Sequence, residues 1–381
     1  MDLLVLSEVR WGYFRTRKQF LLSRFPARWR IFFAQPPAAR ADDPWQPRRE
    51  GNVVTFTVPF LKPGTTSPGY NALMRVPPAR ALVEAAALTW LERALPRLGV
   101  APEPVIMVSN IYAALALSRL RRKLIFYDFN DSPFQFSATP PWAHPYWRRT
   151  LARVDFLFVV SEYYRRALSR QTSRPLVWLG NGVETAHFAT RRAVPDALAS
   201  LSRPRVGYVG LLSHFLDFDV LEQVRREVHE RRGGTLVLLG PGSPATDAHV
   251  RALAARPGVA VLGPMAYDTL PGWMQGLDVG LIPFRADDPY VQGINPNKTW
   301  QYLAAGLPVV TTPLLDLAPS PPHVQFAAEP GAWIEAVGAA LEAPSDAAAR
   351  AARVALAQPH DWDALARRMV AEIERRLAAV A

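Results

Sequence analysis

Short apolar runs alternate with amphipathic helical patterns along this chain, and the alternation stops and then restarts near residue 200. In the first half the apolar runs lie at 3–6, 31–33, 53–58, 105–108, 124–127, 156–160 and 176–179. In the second half they lie at 206–209, 236–239, 259–262 and 279–283. Runs of this length between helical patterns are typical of parallel strands joined by crossover helices. The sequence therefore predicts an α/β protein with two doubly wound, Rossmann-like domains.

The length of 381 residues also favours two domains, because a single core rarely grows beyond about 250–300 residues. We predict a first domain over 1–185 and a second over 205–358. Residues 186–204, rich in Ala, Arg, Pro and Ser, are predicted to link them. A final helix is predicted over 359–381, with apolar residues at helical spacing at Leu365, Met369, Ile373 and Leu377.

Residues 293–312, GINPNKTWQYLAAGLPVVTT, predict a loop, a short amphipathic helix, a glycine turn and a buried strand. Lys298 falls at the entrance of that helix, where free N–H groups and the helix dipole already favour anions. The lysine adds a full positive charge, so the segment predicts a binding site for a phosphate ester. The alternative is a surface lysine on an ordinary helix.

This segment resembles the P-x-K-x-x-E-Y-L-A-x-G-x-P-V-V motif of the group 1 glycosyltransferases (glycosyltransferase family 4), which have the two-domain GT-B fold. In that family the lysine holds the pyrophosphate of a sugar nucleotide and the acidic residue holds its ribose. Here Gln301 stands at the acidic position, and Gly293 stands where many members have a first glutamate. A glutamine amide accepts a hydrogen bond from ribose without contributing negative charge.

The resemblance also implies an arrangement of the whole chain. Two doubly wound domains would face each other across a cleft, with the sugar-nucleotide donor in the second domain and the acceptor in the first. The C-terminal helix would cross back to the first domain.

The second wall of the expected donor site follows the strand at 206–209. Gly210, directly after that strand, lets the backbone approach a phosphate, and Ser213 and His214 add hydrogen-bond donors. Residues 263–271 resemble the family's G-x-x-x-Y-x-x-L-P segment beside the nucleobase. The alternative for the segment after 206–209 is a simple strand-to-helix turn. The alternative for Tyr267 is a tyrosine at the edge of the core. The predicted donor-binding residues are Gly210, Ser213, His214, Tyr267, Asn295, Lys298 and Gln301.

Asp131 is the candidate catalytic residue. It ends the sequence YDFND at 127–131, which follows a predicted strand and resembles the Y-D-x-x-D segment of the nearest branch of the family. Asp131 would act as a general base on an acceptor hydroxyl or position the donor, and the alternative is a plain turn aspartate. A second acidic pattern, Asp217-x-Asp219, stands at a helix start, where capping is favoured over metal binding.

Positive charge is concentrated in the first half of the chain. Residues 1–185 carry 26 Lys and Arg against 13 Asp and Glu, whereas residues 186–381 carry 18 against 20. A basic face of this kind fits an anionic membrane surface or a phosphorylated acceptor. Nucleic acid is disfavoured as a partner, because helix-turn-helix, RNP and zinc-finger patterns are absent from the sequence.

Residues 140–149, PPWAHPYWRR, combine aromatic rings with arginines in a predicted proline-rich loop. Amphipathic rings beside cations suit the interface between water and lipid. The candidates for a membrane- or acceptor-facing surface are Trp142, Trp147, Arg148 and Arg149. The alternative is that both tryptophans pack beneath this segment.

Several other classes of protein lack support in the sequence. The chain has no cysteine, so disulfides and thiolate-bound metals are excluded, and its seven histidines lack metal-ligand spacing. Gly-x-Ser-x-Gly, Walker and Gly-x-Gly-x-x-Gly patterns are absent. No uncharged apolar stretch approaches about 18 residues, and the start MDLLVLSEVRW predicts a strand rather than a signal peptide. We expect a cytoplasmic protein, with association with the inner membrane face as a further expectation.

The sequence thus predicts a glycosyltransferase that moves a sugar from a nucleoside-diphosphate sugar to a hydroxyl of a glycan or lipid-linked acceptor, in polysaccharide or cell-envelope glycan synthesis. No metal or cofactor is expected, because Lys298 and helix N-termini can stabilise the charge of the leaving group. Two alternatives stay open at this point: a sugar-nucleotide epimerase of the same fold, and a non-catalytic nucleotide-binding relative.

Overall fold

The computed structural model describes residues 1–12, 15–37, 45–61, 67–134 and 139–380. The chain divides into two compact units. Unit 1 comprises Met1–Gly180 together with Leu365–Ala381, and unit 2 comprises Asn181–Ala364.

Unit 1 is built on an eight-stranded sheet. Its strands are β1 Asp2–Leu6, β2 Arg30–Gln35, β3 Arg48–Glu50, β4 Val53–Thr57, β5 Val105–Val108, β6 Leu124–Phe129, β7 Phe156–Val159 and β8 Leu176–Trp178. Their spatial order is β3-β4-β2-β1-β5-β6-β7-β8. Every described pairing in this sheet is parallel except that of β3 with β4. The central strands β1, β5, β6 and β7 are buried along their whole length, which explains their continuous apolar runs.

The helices of unit 1 cover this sheet. They are α1 Arg17–Leu22, α2 Pro68–Leu73, α3 Pro77–Arg97, α4 Ala114–Arg119, α5 His144–Arg153 and α6 Glu162–Ser169. The proline-rich segment at 140–149, predicted to be a loop, is instead a 3-10 turn, Pro141–Ala143, followed by α5. That prediction was wrong because proline is tolerated in the first turn of a helix, and Pro145 lies there in α5.

Unit 2 contains a six-stranded sheet whose described pairings are all parallel. Its strands are β9 Arg205–Val209, β10 Thr235–Leu239, β11 Val259–Leu262, β12 Val279–Ile282, β13 Val309–Thr311 and β14 Val324–Phe326. Their order is β11-β10-β9-β12-β13-β14. The prediction of a second doubly wound sheet is confirmed.

The remaining helices are α7 Thr185–Ala189, α8 Asp196–Ala199, α9 Phe218–Arg225, α10 Asp247–Ala254, α11 Leu270–Gln275, α12 Pro289–Gly293, α13 Asn297–Ala304, α14 Pro330–Glu342, α15 Ala347–Ala357 and α16 Trp362–Val380. Residues 186–204 therefore contain helical turns rather than only extended chain.

From Leu365 onward α16 belongs to unit 1, where Arg376 lies over the Phe156 ring at 4.2 Å. Within the described residues, no helix is long and apolar enough to cross a membrane.

Each sheet has one place where the strand order reverses. In unit 1 it lies between β1 and β5, and in unit 2 between β9 and β12. Ligands of open α/β sheets bind beyond the carboxyl ends of the strands at such switch points. The two switch points therefore define where a site is expected in each unit.

The hydroxyl of Tyr302 holds the switch point of unit 2 open. β9 and β12 pair only at Val206 with Val279 and at Gly207 with Gly280, so their carboxyl ends separate. The buried Tyr302 hydroxyl occupies this gap, where it accepts a hydrogen bond from the Val209 N–H at 2.8 Å and donates to the Leu281 carbonyl at 3.3 Å. The side chain thus replaces the missing backbone bonds between the two strands.

Candidate functional site

Lys298 lies in the first turn of α13, beside the carboxyl end of β9. The helix packs Trp300, Tyr302 and Leu303 into the core of unit 2, and this packing fixes its first turn at the switch point. The Lys298 ammonium lies 5.7 Å from the centre of the Tyr208 ring. Burial lowers the pKa of Lys298 from 10.5 to about 8. No carboxylate in the described residues pairs with this ammonium, so its charge is not neutralised locally.

Gly210 provides the space that the Lys298 side chain occupies. Its φ of 151° lies in a region that side-chain-bearing residues rarely adopt. A Cβ at this position would collide with Cε of Lys298 and lie 2.9 Å from Nζ. Glycine here therefore allows the lysine to lie across the end of β9, in addition to allowing a ligand close to the backbone.

Ser213 and His214 follow in the same loop and contact each other. The Ser213 hydroxyl lies 3.1 Å from Nδ1 of His214, and Nε2 of His214 lies 3.9 Å from the Asp288 carboxylate at the start of α12. The His214 side chain is 65% exposed, whereas Ser213 is buried. The loop is fixed to the neighbouring strand end by the bond from the Leu212 N–H to the Pro241 carbonyl, at 2.9 Å.

Gln301 and Asn295 flank Lys298 but differ in what they offer a ligand. Gln301 stands three residues after Lys298 on α13, so the two side chains share a face of the helix. Asn295 is buried; its side-chain oxygen accepts the Asn181 N–H at 2.8 Å, and its side-chain nitrogen donates to Asp316 at 2.6 Å. Asn295 therefore fixes the segment before α13, whereas no described hydrogen bond occupies the Gln301 amide.

Tyr267 packs against α7. Its ring stacks on that of His187 with 5.2 Å between centroids and meets the Phe188 ring edge-on at 5.8 Å. These contacts match those of a tyrosine at the edge of the core, the alternative named for this residue.

Unit 1 has a cavity of about 410 Å³ at its own switch point. It is lined by residues beyond the carboxyl ends of β1, β5 and β6 and by the start of α1. Asp131 lies in this cavity, and its carboxylate accepts a hydrogen bond from the Asn130 amide at 2.6 Å. Burial raises the pKa of Asp131, and the charge of Lys18 partly opposes this increase. A carboxylate with a raised pKa is a stronger base than an ordinary aspartate.

Four charged side chains of the unit 1 cavity form two neutralising pairs, and Asp131 forms no described ion pair. The Lys18 ammonium donates to Glu8 at 2.6 Å, and Nε of Arg17 donates to the buried Asp128 carboxylate at 3.1 Å. Arg17 also donates to the Gly180 carbonyl at 2.6 Å. Glu8, Arg17 and Lys18 were not among the predicted site residues, because the sequence signals them only through a basic pair at a helix start soon after the first strand.

The aromatic residues of α5 and its preceding turn face inward. Trp147 is buried, with its ring centre 5.3 Å from that of Tyr127 and its Nε1 donating to Gln171 at 3.0 Å. Trp142 is half-buried, with the Arg80 guanidinium 4.6 Å above its ring. The expectation that Trp147 faces a membrane or acceptor is therefore wrong, because the ring belongs to the core. Arg148 and Arg149 are exposed.

Asp217 has the capping role that its position predicts. Its carboxylate accepts the N–H groups of Asp219 and Val220 at 3.1 and 3.0 Å, at the start of α9. Across the described ranges, no group of three or more His, Asp or Glu side chains is arranged to hold a metal ion.

Three comparisons relate the chain to known proteins. Residues 203–343 match the family model "Glycosyl transferases group 1". A protein of Bacillus subtilis (strain 168) with the name "Putative teichuronic acid biosynthesis glycosyltransferase TuaH" is 26% identical over 231 residues, which cover 58% of this chain. The chain spans only 57% of the length of that relative.

Solved structures match the chain over nearly its whole length. Sucrose-phosphate synthase from Thermosynechococcus elongatus has a TM-score of 0.71 at 15% identity, covering 100% of this chain and 99% of its own. A structure described as trehalose-6-phosphate from E. coli bound with UDP-2-fluoro glucose has a TM-score of 0.70 at 14% identity, covering 98% of each chain. Residues 203–343 are thus similar to the group 1 glycosyl transferases, and the chain has the GT-B fold.

Proposed function

We propose that this chain transfers a sugar from a nucleoside-diphosphate sugar to a hydroxyl of a glycan or lipid-linked acceptor. The observation that carries the proposal is the Lys298 ammonium, held at the N-terminus of α13 and at the switch point of unit 2 without a carboxylate partner in the described residues. A cation that the protein does not neutralise favours a ligand that brings negative charge. The diphosphate of a sugar nucleotide brings this charge to the end of the sheet where α/β proteins bind nucleotides.

The donor would contact unit 2 through a small set of groups. Lys298 and the free N–H groups of α13 would bind the diphosphate, and Gln301, on the same helix face, would accept a hydrogen bond from ribose. Gly210, Ser213 and His214 would border the phosphates, and Tyr267 the nucleobase. Asn295 would act indirectly by fixing the entry to α13. The description of the similar E. coli structure as bound with UDP-2-fluoro glucose supports a uridine-diphosphate sugar as the donor.

In the proposed reaction the acceptor hydroxyl oxygen forms a bond with the anomeric carbon of the sugar. The bond from that carbon to the diphosphate oxygen breaks, and the hydroxyl proton passes to the Asp131 carboxylate. Lys298 and the amides of α13 stabilise the charge that develops on the departing diphosphate. The raised pKa of Asp131 suits a proton acceptor, and the step assigns no role to a metal.

The acceptor would bind in the unit 1 cavity. Because Glu8 pairs with Lys18 and Asp128 with Arg17, the cavity has little unbalanced positive charge and suits a neutral sugar with several hydroxyl groups. The name of the Bacillus relative supports a cell-envelope glycan as the acceptor class. The exposed Arg148 and Arg149 support association with an anionic membrane from the cytoplasmic side, where lipid-linked acceptors would be reached.

The proposal is tested by measuring donor binding and turnover together. A thermal-shift screen of UDP-, GDP-, dTDP- and ADP-sugars identifies the donor, and calorimetry then compares Lys298→Ala with Lys123→Ala, a change at an exposed lysine. Loss of a charged contact to phosphate should weaken donor binding about 10- to 100-fold in the first variant only. Equal affinity in both folded variants would contradict the donor site.

Measurements of turnover distinguish sugar transfer from other reactions that proteins of this fold catalyse. Release of the nucleoside diphosphate should require added acceptor in a screen of envelope glycans and polyprenyl-linked sugars. Release without any acceptor would indicate an epimerase or hydrolase instead, and donor binding with no turnover across the screen would indicate a non-catalytic protein.

A further inference from the structure

A second cavity in unit 2, of about 630 Å³, lies at the opposite end of the sheet from Lys298. Its walls include Pro204, Asp278 and Pro308, which immediately precede β9, β12 and β13. It is therefore formed at the amino ends of the strands, whereas nucleotides of α/β sheets bind at the carboxyl ends. The proposed transfer reaction assigns no role to this cavity. We call it the arginine cavity.

Five arginines line the arginine cavity, and Asp278 is the only acidic residue among its lining residues. The arginines are Arg191, Arg203, Arg232, Arg350 and Arg353. Arg203 pairs with Asp278, and Arg232 pairs with Glu227 at 3.1 Å and Glu342 at 3.7 Å. In the described residues Arg191, Arg350 and Arg353 form no ion pair. The charge of Asp346 acts on Arg353 without a direct ion pair, so the protein compensates the positive charge of the cavity only in part.

Arg353 is the most informative of these side chains because it is only 1% exposed. Its terminal nitrogens donate to the carbonyls of Gly306 at 3.2 Å and Pro344 at 2.6 Å. Its Nε, also buried, has no hydrogen-bond partner among the described residues. Burial lowers the pKa of Arg353, and the charge of Asp346, which forms no direct ion pair with it, opposes this only in part. An anion bound nearby would remove much of the remaining cost of burying the guanidinium.

A purely structural role accounts for only part of this cluster. Arg350 donates to the Ala305 carbonyl at 2.8 Å, so Arg350 and Arg353 together satisfy carbonyls at the C-terminal end of α13. Cations stabilise a helix at that end. This role does not explain Arg191, which makes no described hydrogen bond. Burial is the main cause that lowers the pKa of Arg350, and the nearby charges of Arg191 and Arg353 lower it further.

We propose that the arginine cavity binds a phosphorylated ligand. Guanidinium groups bind phosphate oxygens through paired N–H donors, and arginine is favoured over lysine where this planar recognition is used. The cavity volume is within the range of about 300–1,000 Å³ typical of small-molecule sites, so the ligand is a soluble phosphate or diphosphate ester. A phospholipid headgroup presents the same chemistry, and the experiment below distinguishes the two sources.

The test uses the full chain carrying Lys298→Ala, which removes the phosphate contact of the donor site. Inorganic pyrophosphate and glucose 6-phosphate are titrated by calorimetry into this protein, and into the same protein with Arg191→Gln and Arg350→Gln added. We expect the added changes to weaken pyrophosphate binding about 10-fold or more. Arg256→Gln, a change at an exposed arginine of unit 2 outside the cavity, is the matched control and should change affinity less than about twofold.

Folding of each variant is checked by its Tm. If Arg350→Gln unfolds the protein through loss of its bond to Ala305, Arg191→Gln alone should still weaken pyrophosphate binding about threefold. Equal affinity of the Arg191 and Arg256 variants would overturn the proposal. Binding to phosphatidic acid vesicles that depends on Arg191 and Arg350, without binding of either soluble phosphate, would overturn the soluble ligand and assign the cavity to a lipid headgroup.

Discussion

The two switch points of this molecule use the same strand topology but opposite arrangements of charge. In unit 1 the cavity between β1 and β5 holds both of its cations in neutralising pairs, Lys18 with Glu8 and Arg17 with Asp128, and the remaining charged group is the carboxylate of Asp131. In unit 2 the switch point holds one lysine that no described carboxylate neutralises. A cavity without unbalanced positive charge suits a neutral ligand rich in hydroxyl groups, whereas an isolated cation suits a diphosphate. Side chains at the strand ends, rather than the fold, therefore distinguish the proposed acceptor site from the proposed donor site.

The largest expected effect comes from Asp131→Asn, which changes unit 1 alone. Transfer should fall by about 10² or more, because a positioned proton acceptor is lost, while donor affinity in unit 2 stays unchanged. Burial raises the pKa of Asp131, so its ionised form is disfavoured in the folded state, and the neutral amide should not destabilise the protein at pH 7. Steady-state kinetics, donor calorimetry and Tm are measured together.

Glu92→Gln, an exposed carboxylate-to-amide change in the same unit, is the control for Asp131. Transfer by Asp131→Asn within a few-fold of this control would leave Asp131 as a turn residue. If Asp131 is the base, the parent rate should also fall as the pH drops below its raised pKa, because the carboxylate then becomes protonated.

The pH dependence of donor binding tests the isolated cation of unit 2. Burial lowers the pKa of Lys298 to about 8, so the free protein loses this charge as the pH rises through that value. Affinity for the sugar nucleotide should therefore fall about 10-fold between pH 7 and pH 9, since roughly a tenth of the lysine stays protonated at pH 9. The diphosphate diester keeps its charge over this range.

Lys298→Arg provides the control for this effect, because an arginine stays protonated throughout. Its donor affinity should be nearly independent of pH between 7 and 9, whatever its absolute value. A parallel decline in the parent and in Lys298→Arg would assign the titration to another group.

Residues of the two switch points could be predicted from the sequence where their role follows from the local pattern of the chain. Lys298 at a helix start and Gly210 after a strand are local features, and the structure brings the two together. The role of Tyr302 could not be predicted, because its hydroxyl acts where β9 and β12 separate, which a linear pattern does not reveal. Asp128 and Arg17 lie 111 residues apart in the sequence, so their pairing had no local signal.

The errors have equally specific causes. The segment at 140–149 combines prolines with aromatic residues, and the prolines favoured a loop although a helix accepts proline in its first turn. Once α5 forms, its geometry directs Trp147 inward and leaves Arg148 and Arg149 outside. α14 is largely apolar around its circumference and so shows little contrast between polar and apolar faces. The positions of Arg350 and Arg353 on α15 carried no local signal, because the other walls of the arginine cavity lie far from them in the sequence.

A smaller effect is expected from Arg148→Gln, which tests whether the positive charge of unit 1 acts outside its neutralised cavity. Each basic side chain near anionic lipid contributes about 1 kcal/mol, so binding to vesicles containing phosphatidylglycerol should weaken about fivefold. The attraction should also weaken as salt rises, because the Debye length is about 8 Å at physiological ionic strength. Co-sedimentation with anionic and neutral vesicles measures this, with Arg256→Gln of unit 2 as the matched control. If the unsubstituted protein does not bind anionic vesicles at low salt, the proposed membrane role of this face is wrong.

The smallest effect is expected at Gln301, and it refines the donor site rather than testing its existence. Gln301 shares a helix face with Lys298, and no described hydrogen bond occupies its amide, so it can accept a ribose hydroxyl at no structural cost. A neutral hydrogen bond on a half-buried helix face contributes little, so Gln301→Ala should weaken the intact sugar nucleotide about two- to fivefold. Gln301→Glu should instead strengthen binding modestly, since a carboxylate accepts the same hydroxyl through a charge-assisted bond.

A 2′,3′-dideoxy nucleotide should bind the parent and Gln301→Ala equally. If Gln301→Ala still weakens the dideoxy form, the side chain acts on the helix or the phosphates, and ribose recognition must lie elsewhere in unit 2.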